Sequence, residues 1–215
     1  ATSSISGWVC SSFSTSAGFL IEDPAENPIA GNYRGHAKTD ENARYNYMFE
    51  NNSIGFQPNQ ADGNFAGQTT AAPMVTYQEN LLILAESGLR SADFATGLGH
   101  LNQFRSFMDN GGYINAPDVT ALTYDAFVEA DFQNGGIENA NNISQNDALL
   151  REILEERYIT LFGQPEVFND TRRTQGDGNA RVRVQPNVGD ELPQRFLYPQ
   201  SELQRNENAP DPAPG

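Results

Sequence analysis

The clearest periodic pattern in the chain runs from Asp147 to Thr174. Leu150, Ile153, Leu154, Tyr158, Leu161 and Phe162 fall at the i, i+3, i+4 spacing of one buried helix face. Arg151, Glu152, Glu155 and Glu156 lie off that face, and Asp147 puts a negative charge in the first turn, where the helix dipole favours it. Gly163 is the expected C-cap, and Pro165 is expected to stop regular helix. A helix of about 17 residues would be about 25 Å long. Val167 and Phe168 follow, then Asp170 and the pair Arg172–Arg173.

Residues 76–109 predict a helical hairpin. Thr76 and Glu79 have capping-box spacing, and Leu81, Leu82, Leu84 and Ala85 point inward on a helix ending near Gly88–Leu89. Ser91 is the expected N-cap of the second helix, whose face is Phe94, Leu98, Leu101, Phe104 and Met108. Gly97 and Gly99 weaken it by about 1 kcal/mol each unless another helix packs closely there. The pair has the size of a tetratricopeptide-like repeat and cannot bury its face alone. Thr123 is expected to cap a shorter helix to Phe132, with Tyr124, Phe127 and Val128 inward.

Residues 1–75 carry no helical period. Phe19–Ile21 reads as a short strand, and Tyr45, Tyr47 and Phe49 alternate with Asn46 and Met48, a strand period. Gly55, Pro58, Gly63 and Gly67 mark a long loop ending near Thr70, expected to pack over the core as irregular structure. Arg181, Val182, Arg183 and Val184 alternate as an edge strand would, and the tail from Leu192 is extended and proline-rich. The expected fold is therefore mainly α: a tetratricopeptide-like hairpin plus further helices, packed with a loop-rich region containing a few short strands. It is read as a single domain over 1–215, with a loop-rich part (1–75), a helical part (76–174) and an extended tail (175–215).

Composition narrows the function. The 215 residues are 38% hydrophobic and carry a net charge of -15, with a mean hydropathy of -0.57. Such acidity repels phosphate backbones and argues against nucleic-acid binding. Lys38 is the only lysine. An acid-rich, lysine-poor chain fits a high-salt setting, where ions screen self-repulsion, and fits nucleotide composition bias equally well. No apolar run approaches the roughly 20 residues of a membrane span. Cys10 is alone, which rules out a disulfide framework and a zinc cluster within the chain and suits a core position. A chain beginning at Ala1 is expected to be processed or truncated, its targeting segment not shown.

Catalytic chemistry finds little support. His36 and His100 are far apart, and no metalloprotease, nucleophile-elbow, phosphate-loop or dinucleotide motif is present. Asp177-Gly178-Asn179 lacks the later ligands of a calcium loop. Glu155 and Glu156 are expected to be solvated or paired with Arg151 and Arg157. No catalytic residue, metal ligand or cofactor is assigned. Binding chemistry is better provided: Trp8, Tyr33, Tyr45 and Tyr47, among Asn32, Asn46 and Arg44, offer the apolar ring faces and polar groups that sugars use.

Four pieces of the chain carry a family resemblance. Glu156-Arg157-Tyr158-Ile159 and Leu161-Phe162-Gly163-Gln164, with Val167-Phe168-Asn169-Asp170 and Arg172-Arg173-Thr174, resemble the C-terminal signature of the SusD/RagB-like nutrient-binding outer-membrane lipoproteins of Bacteroidetes. The tail from Pro193 through Tyr198-Pro199 to Glu202-Leu203 and Asn206 is similar to the family's closing pattern. Pro73 through Ala85-Glu86 resembles its repeat helix, and Tyr33-Arg34-Gly35-His36 resembles a further segment. The order of the pieces agrees, and together they match the second half of a family member. The resemblance implies tetratricopeptide-like helices backing a loop-rich binding region. It implies a non-catalytic protein on the extracellular face of the outer membrane, held by a lipid anchor outside this chain. Such a protein would deliver a glycan or peptide to a TonB-dependent SusC-like barrel transporter. The motif residues Arg157, Phe162, Phe168, Asp170, Arg172, Arg173 and Tyr198 would be structural, with Arg172 and Arg173 pairing with Asp170 or capping chain ends. A helical-repeat interaction scaffold without small-ligand binding is the alternative, and a hydrolase with convergent carboxylates a third.

Overall fold

The computed structural model describes residues 34–52, 55–71, 74–112, 123–182, 184, 200–206 and 208. Expectations for Trp8, Cys10, Tyr33, the strand at 19–21 and the closing motif around Tyr198 lie outside these residues. The chain divides into two units, residues 1–184 and 185–215. The second is described through a short helix, α6 (Gln200–Arg205).

The first unit is mainly helical. A two-residue strand β1 (Thr39–Asp40) leads into helix α1 (Asn42–Met48) and the antiparallel strands β2 (Phe49–Asn52) and β3 (Gly55–Pro58). The hairpin α2 (Tyr77–Ser91) and α3 (Phe94–Asp109) follows. Strand β4 (Thr123–Tyr124) pairs antiparallel with β1, Thr39 opposite Tyr124. A 3-10 turn (Glu129–Phe132), helix α4 (Gln145–Thr160), helix α5 (Pro165–Arg173) and a second 3-10 segment (Gln175–Ala180) complete it.

Helix α4 is the axis of the unit, packed by α2, α3, α5 and both 3-10 segments. Ser144 caps it by accepting from the Asp147 amide. Its interior is apolar on several sides: Ala148, Leu149, Ile153, Leu154, Tyr158 and Ile159 are all buried. Glu152, Glu156 and Arg157 are buried as well, so the expected polar face does not exist as such. Only Arg151, Glu155 and a few terminal positions keep partial access to solvent.

Several local expectations change. Pro165 does not end helical structure. It occupies the first turn of α5, where its missing N–H costs nothing and its fixed φ suits the helix. The chain gets there through Gly163 at φ +81°, a left-handed conformation that favours glycine. Tyr45 and Tyr47 are helical, not extended. The buried stripe of α1 is Arg44 and Met48, an i, i+4 pair, and the tyrosines flank it half-buried. The strand begins only at Phe49, and the expected loop from Gly55 opens as β3, with Pro58 at the strand end where a missing donor is tolerated.

The helix expected from Thr123 to Phe132 is also replaced. Backbone pairing with β1 holds Thr123 and Tyr124 extended, and only Glu129–Phe132 coils. Tyr124 and Phe127 are buried, but Val128 is exposed. At 181–184 the described positions form no strand. The Val184 amide donates to the Val182 carbonyl at 3.1 Å, and Val182 is buried.

In the hairpin, α2 runs on through Ser91, and Asp93, not Ser91, caps α3 by accepting from the Thr96 amide at 2.7 Å. Leu84, expected inward, is half exposed. Gly97 sits where a Cβ would come within 2.7 Å of the Leu89 Cβ, whereas nothing lies within 4 Å of one built at Gly99. The first glycine permits close helix packing and the second has no such reason. Gly97→Ala should therefore destabilise by about 1–3 kcal/mol through overpacking. Gly99→Ala should stabilise by about 1 kcal/mol through helix propensity. Urea denaturation of both variants checks this; effects of the same sign would contradict it.

Candidate functional site

The most concentrated chemistry among the described residues is a buried network of arginine and glutamate around α4. Arg34, just before β1, donates to three carboxylates: Glu41 at 2.6 Å, Glu156 at 2.7 Å and Glu152 at 2.5 Å. Arg44 on α1 holds Glu41 in a two-pronged contact (2.7 and 2.6 Å) and donates to Glu156 at 2.9 Å. The Tyr124 hydroxyl donates to Glu41 at 3.0 Å. Arg105 on α3 lies with its guanidinium 3.7 Å from the Phe127 ring centroid. It donates to the carbonyls of Asp125 and Lys38, both at 2.7 Å, and to the Thr39 hydroxyl at 2.8 Å. Three arginines and three glutamates are thus withdrawn from water together and meet most of their hydrogen-bonding needs in one another.

Their titration differs by position. At Glu156 burial works against ionisation, but Arg34 and Arg44 more than offset it and hold the carboxyl at about 2. At Glu152 burial dominates and pushes the carboxyl up to about 8, because Arg34 is divided among three carboxylates and Glu138 and Glu156 add repulsion. Burial lowers the Arg105 guanidinium, while Glu152, Glu156 and Glu41 raise Arg34 against the same cost.

A second network braces the hairpin to the C-terminal part of this unit. Glu86 on α2 accepts both terminal nitrogens of Arg173 at 2.6 Å, and Nε of Arg90 at 2.9 Å. Asp170 accepts from Arg157 (2.8 and 2.7 Å) and from Arg173 at 2.7 Å. Burial raises the Glu86 carboxyl, but its arginine hydrogen bonds outweigh that and leave it below the usual range. Arg172 is exposed and makes no ion pair among the described residues, so only Arg173 takes the role expected of the pair. Phe162 and Phe168 are buried, and Phe162 packs against Phe49 and Phe65 with centroids 5.1 and 5.3 Å away.

Of the expected ligand-binding group, Trp8 and Tyr33 lie outside the described residues, and Arg44, Tyr45 and Tyr47 all lie on α1. Arg44 is fully buried inside the charge network and presents nothing to a ligand, which corrects its assignment. The reason is the carboxylates of Glu41 and Glu156, which claim its guanidinium. Tyr45 and Tyr47 are half-buried on α1, the first against Phe49 and the second edge-on to Phe65. Glu156 pairs with Arg34 and Arg44, not with Arg151 or Arg157. His36 accepts the Lys38 amide on Nδ1, so Nε2 carries the proton donated to Glu138 at 2.5 Å. Its polar atoms are thereby satisfied.

The sequence points to neither Glu41 nor Arg105, and it offers Arg34 only within a motif and Glu152 only as part of a polar face. One signal existed: Ala148, Leu149 and Ile159 widen the apolar surface of α4 beyond one face, so a carboxylate on it has little room to reach water. Among the described residues no group of three or more His, Cys, Asp or Glu side chains is placed to hold a metal ion, and no helix is long and apolar enough to cross a membrane. In comparisons with known proteins, no protein-family model, no curated protein and no solved structure matches this chain.

Proposed function

We propose that this chain is part of a nutrient-binding protein at the outer-membrane surface, which takes up an oligosaccharide and passes it to a TonB-dependent barrel transporter. The reading assigns it no catalysis and no cofactor. One observation carries it. Three of the four motif pieces that resemble the SusD/RagB-like family, taken in chain order at 33–36, 73–86 and 156–174, are separated in sequence yet meet in space. Arg34 of the first pairs with Glu156 of the third, and Glu86 of the second pairs with Arg173 of the third. Arg157 and Asp170, both in the third, close the brace. Such a convergence is what a shared structural frame requires, with ligand contacts left to loops. Isothermal titration against a panel of oligosaccharides and peptides tests it. Saturable binding of at least one oligosaccharide is expected. Binding to none would end the reading, and binding to peptides alone would change the ligand class.

A helical-repeat scaffold is the second reading. Met74, Val75, Tyr77, Ile83 and Leu84 expose apolar surface along and just before α2, with Met74 at 88% and Val75 at 85%. Exposed apolar side chains so grouped suit protein contact. Affinity for the barrel without affinity for any glycan would favour this reading.

A further inference from the structure

Among the described residues, the buried network leaves guanidinium N–H groups of Arg34 and Arg105 without an acceptor. Arg105 Nη1 is buried without a hydrogen-bond partner among the described residues and stands 3.9 Å from Glu152 Oε1. The other two nitrogens of the same guanidinium hold backbone on either side of the β1–β4 pair, through the carbonyls of Lys38 and Asp125. The Asp125 amide donates to that same Lys38 carbonyl at 2.9 Å. Arg105 therefore stands between two claims: the β1–β4 backbone, which it holds, and Glu152, which it faces without touching.

We propose that Glu152 and Arg105 form a proton-operated latch on the β1–β4 pair. With its proton, Glu152 leaves Arg105 bound to the backbone carbonyls. Losing the proton to water, with no other bond broken, it draws Nη1 into an ion pair, and the guanidinium slackens its hold on Lys38 and Asp125. Arg34, its one close partner, is shared with Glu41 and Glu156, so without Arg105 the new buried charge is under-compensated.

The groups facing Glu152 set its balance. Arg34 approaches from the segment before β1 at 2.5 Å, and Arg105 from α3. Glu138, in the loop before α4, and Glu156, one turn along α4, repel its charge, while Glu41, just before α1, acts through Arg34 and Arg44 of α1 through Glu156. Burial, the largest influence, pushes the carboxyl up to about 8, from 4.5. The folded group thus binds its proton more tightly than an exposed one. The stabilisation it contributes is full below the ordinary carboxyl range and is lost as pH rises through about 8.

Amide hydrogen exchange at Thr39 and Asp125, corrected for intrinsic rates, tests the latch. Both amides donate within this backbone, to His36 and Lys38. Between about pH 6 and about pH 9.5 the native protein should lose protection about tenfold at both, the scale of one charge-assisted hydrogen bond. Glu152→Gln, which keeps the neutral shape, should hold the low-pH protection throughout. Flat protection in the native protein, or an equal loss in the variant, would overturn the proposal. If the variant does not fold, carbon NMR of the native side-chain carboxyls decides. A Glu152 resonance titrating near 8 is expected, and one titrating in the ordinary carboxylate range would overturn the latch. The latch does not depend on the ligand class proposed above.

Discussion

Glu156→Gln should destabilise the protein by about 3–5 kcal/mol at neutral pH, the cost of removing one partner from a buried ionic network. Glu156 lies fully buried between Arg34 and Arg44 and is the one carboxylate of α4 that both touch. Without its charge two guanidiniums stay buried with too little negative charge to meet them. Glu152→Gln, one turn away, should cost less at the same pH, because burial raises the folded carboxyl to about 8 and the amide resembles its protonated form. The two variants share a helix, a chemistry and a depth of burial, so the contrast isolates charge. The pH dependence gives a further check. The folded Glu156 carboxyl lies below its ordinary value, so its contribution is full above 4.5 and is lost as pH falls towards about 2. The urea midpoint of the native protein should fall across that window, and the part due to Glu156 should be missing in Glu156→Gln. Equal losses in the two glutamine variants at neutral pH would contradict this account.

Phe162→Ala should cost about 3–5 kcal/mol, the range for emptying a buried aromatic site. Phe162 is 2% exposed at the end of α4, and its ring touches elements that share no backbone with that helix: Phe49 of β2 and Phe65 of the loop after β3. Phe65 in turn meets Tyr47 of α1 at 6.4 Å. The cavity would remove the apolar anchor of the 59–70 loop, leaving it tied to α1 by backbone hydrogen bonds such as Phe65 to the Tyr47 carbonyl at 3.1 Å and Asn59 to the Met48 carbonyl at 2.9 Å. Faster proteolysis within that loop should accompany the drop in urea midpoint. A variant within 1 kcal/mol of the native protein, its loop uncut, would show that the ring is replaceable packing and not an anchor.

The sequence by itself determined the helical frame. Apolar spacing at 3.6 residues identified α2, α3 and the core of α4, because a buried stripe repeats with the helix whatever it packs against. Phe162 and Phe168 are inside, and Asp170 meets arginines close to it in sequence, interactions a short stretch can specify. Tertiary structure decided everything that depended on distant partners. Tyr45 and Tyr47 alternate like a strand but lie on α1, because Arg44 and Met48 are claimed by the core. Thr123–Tyr124 is a strand because β1 is there to pair with it. The carboxylates of Glu152 and Glu156 look like a solvated face, since glutamate is almost never buried without a partner. Their partner, Arg34, stands 118 and 122 residues earlier in the chain, and no local pattern records that meeting. Only the packed fold removes water from both glutamates, gives one of them two cations, and leaves the other sharing one.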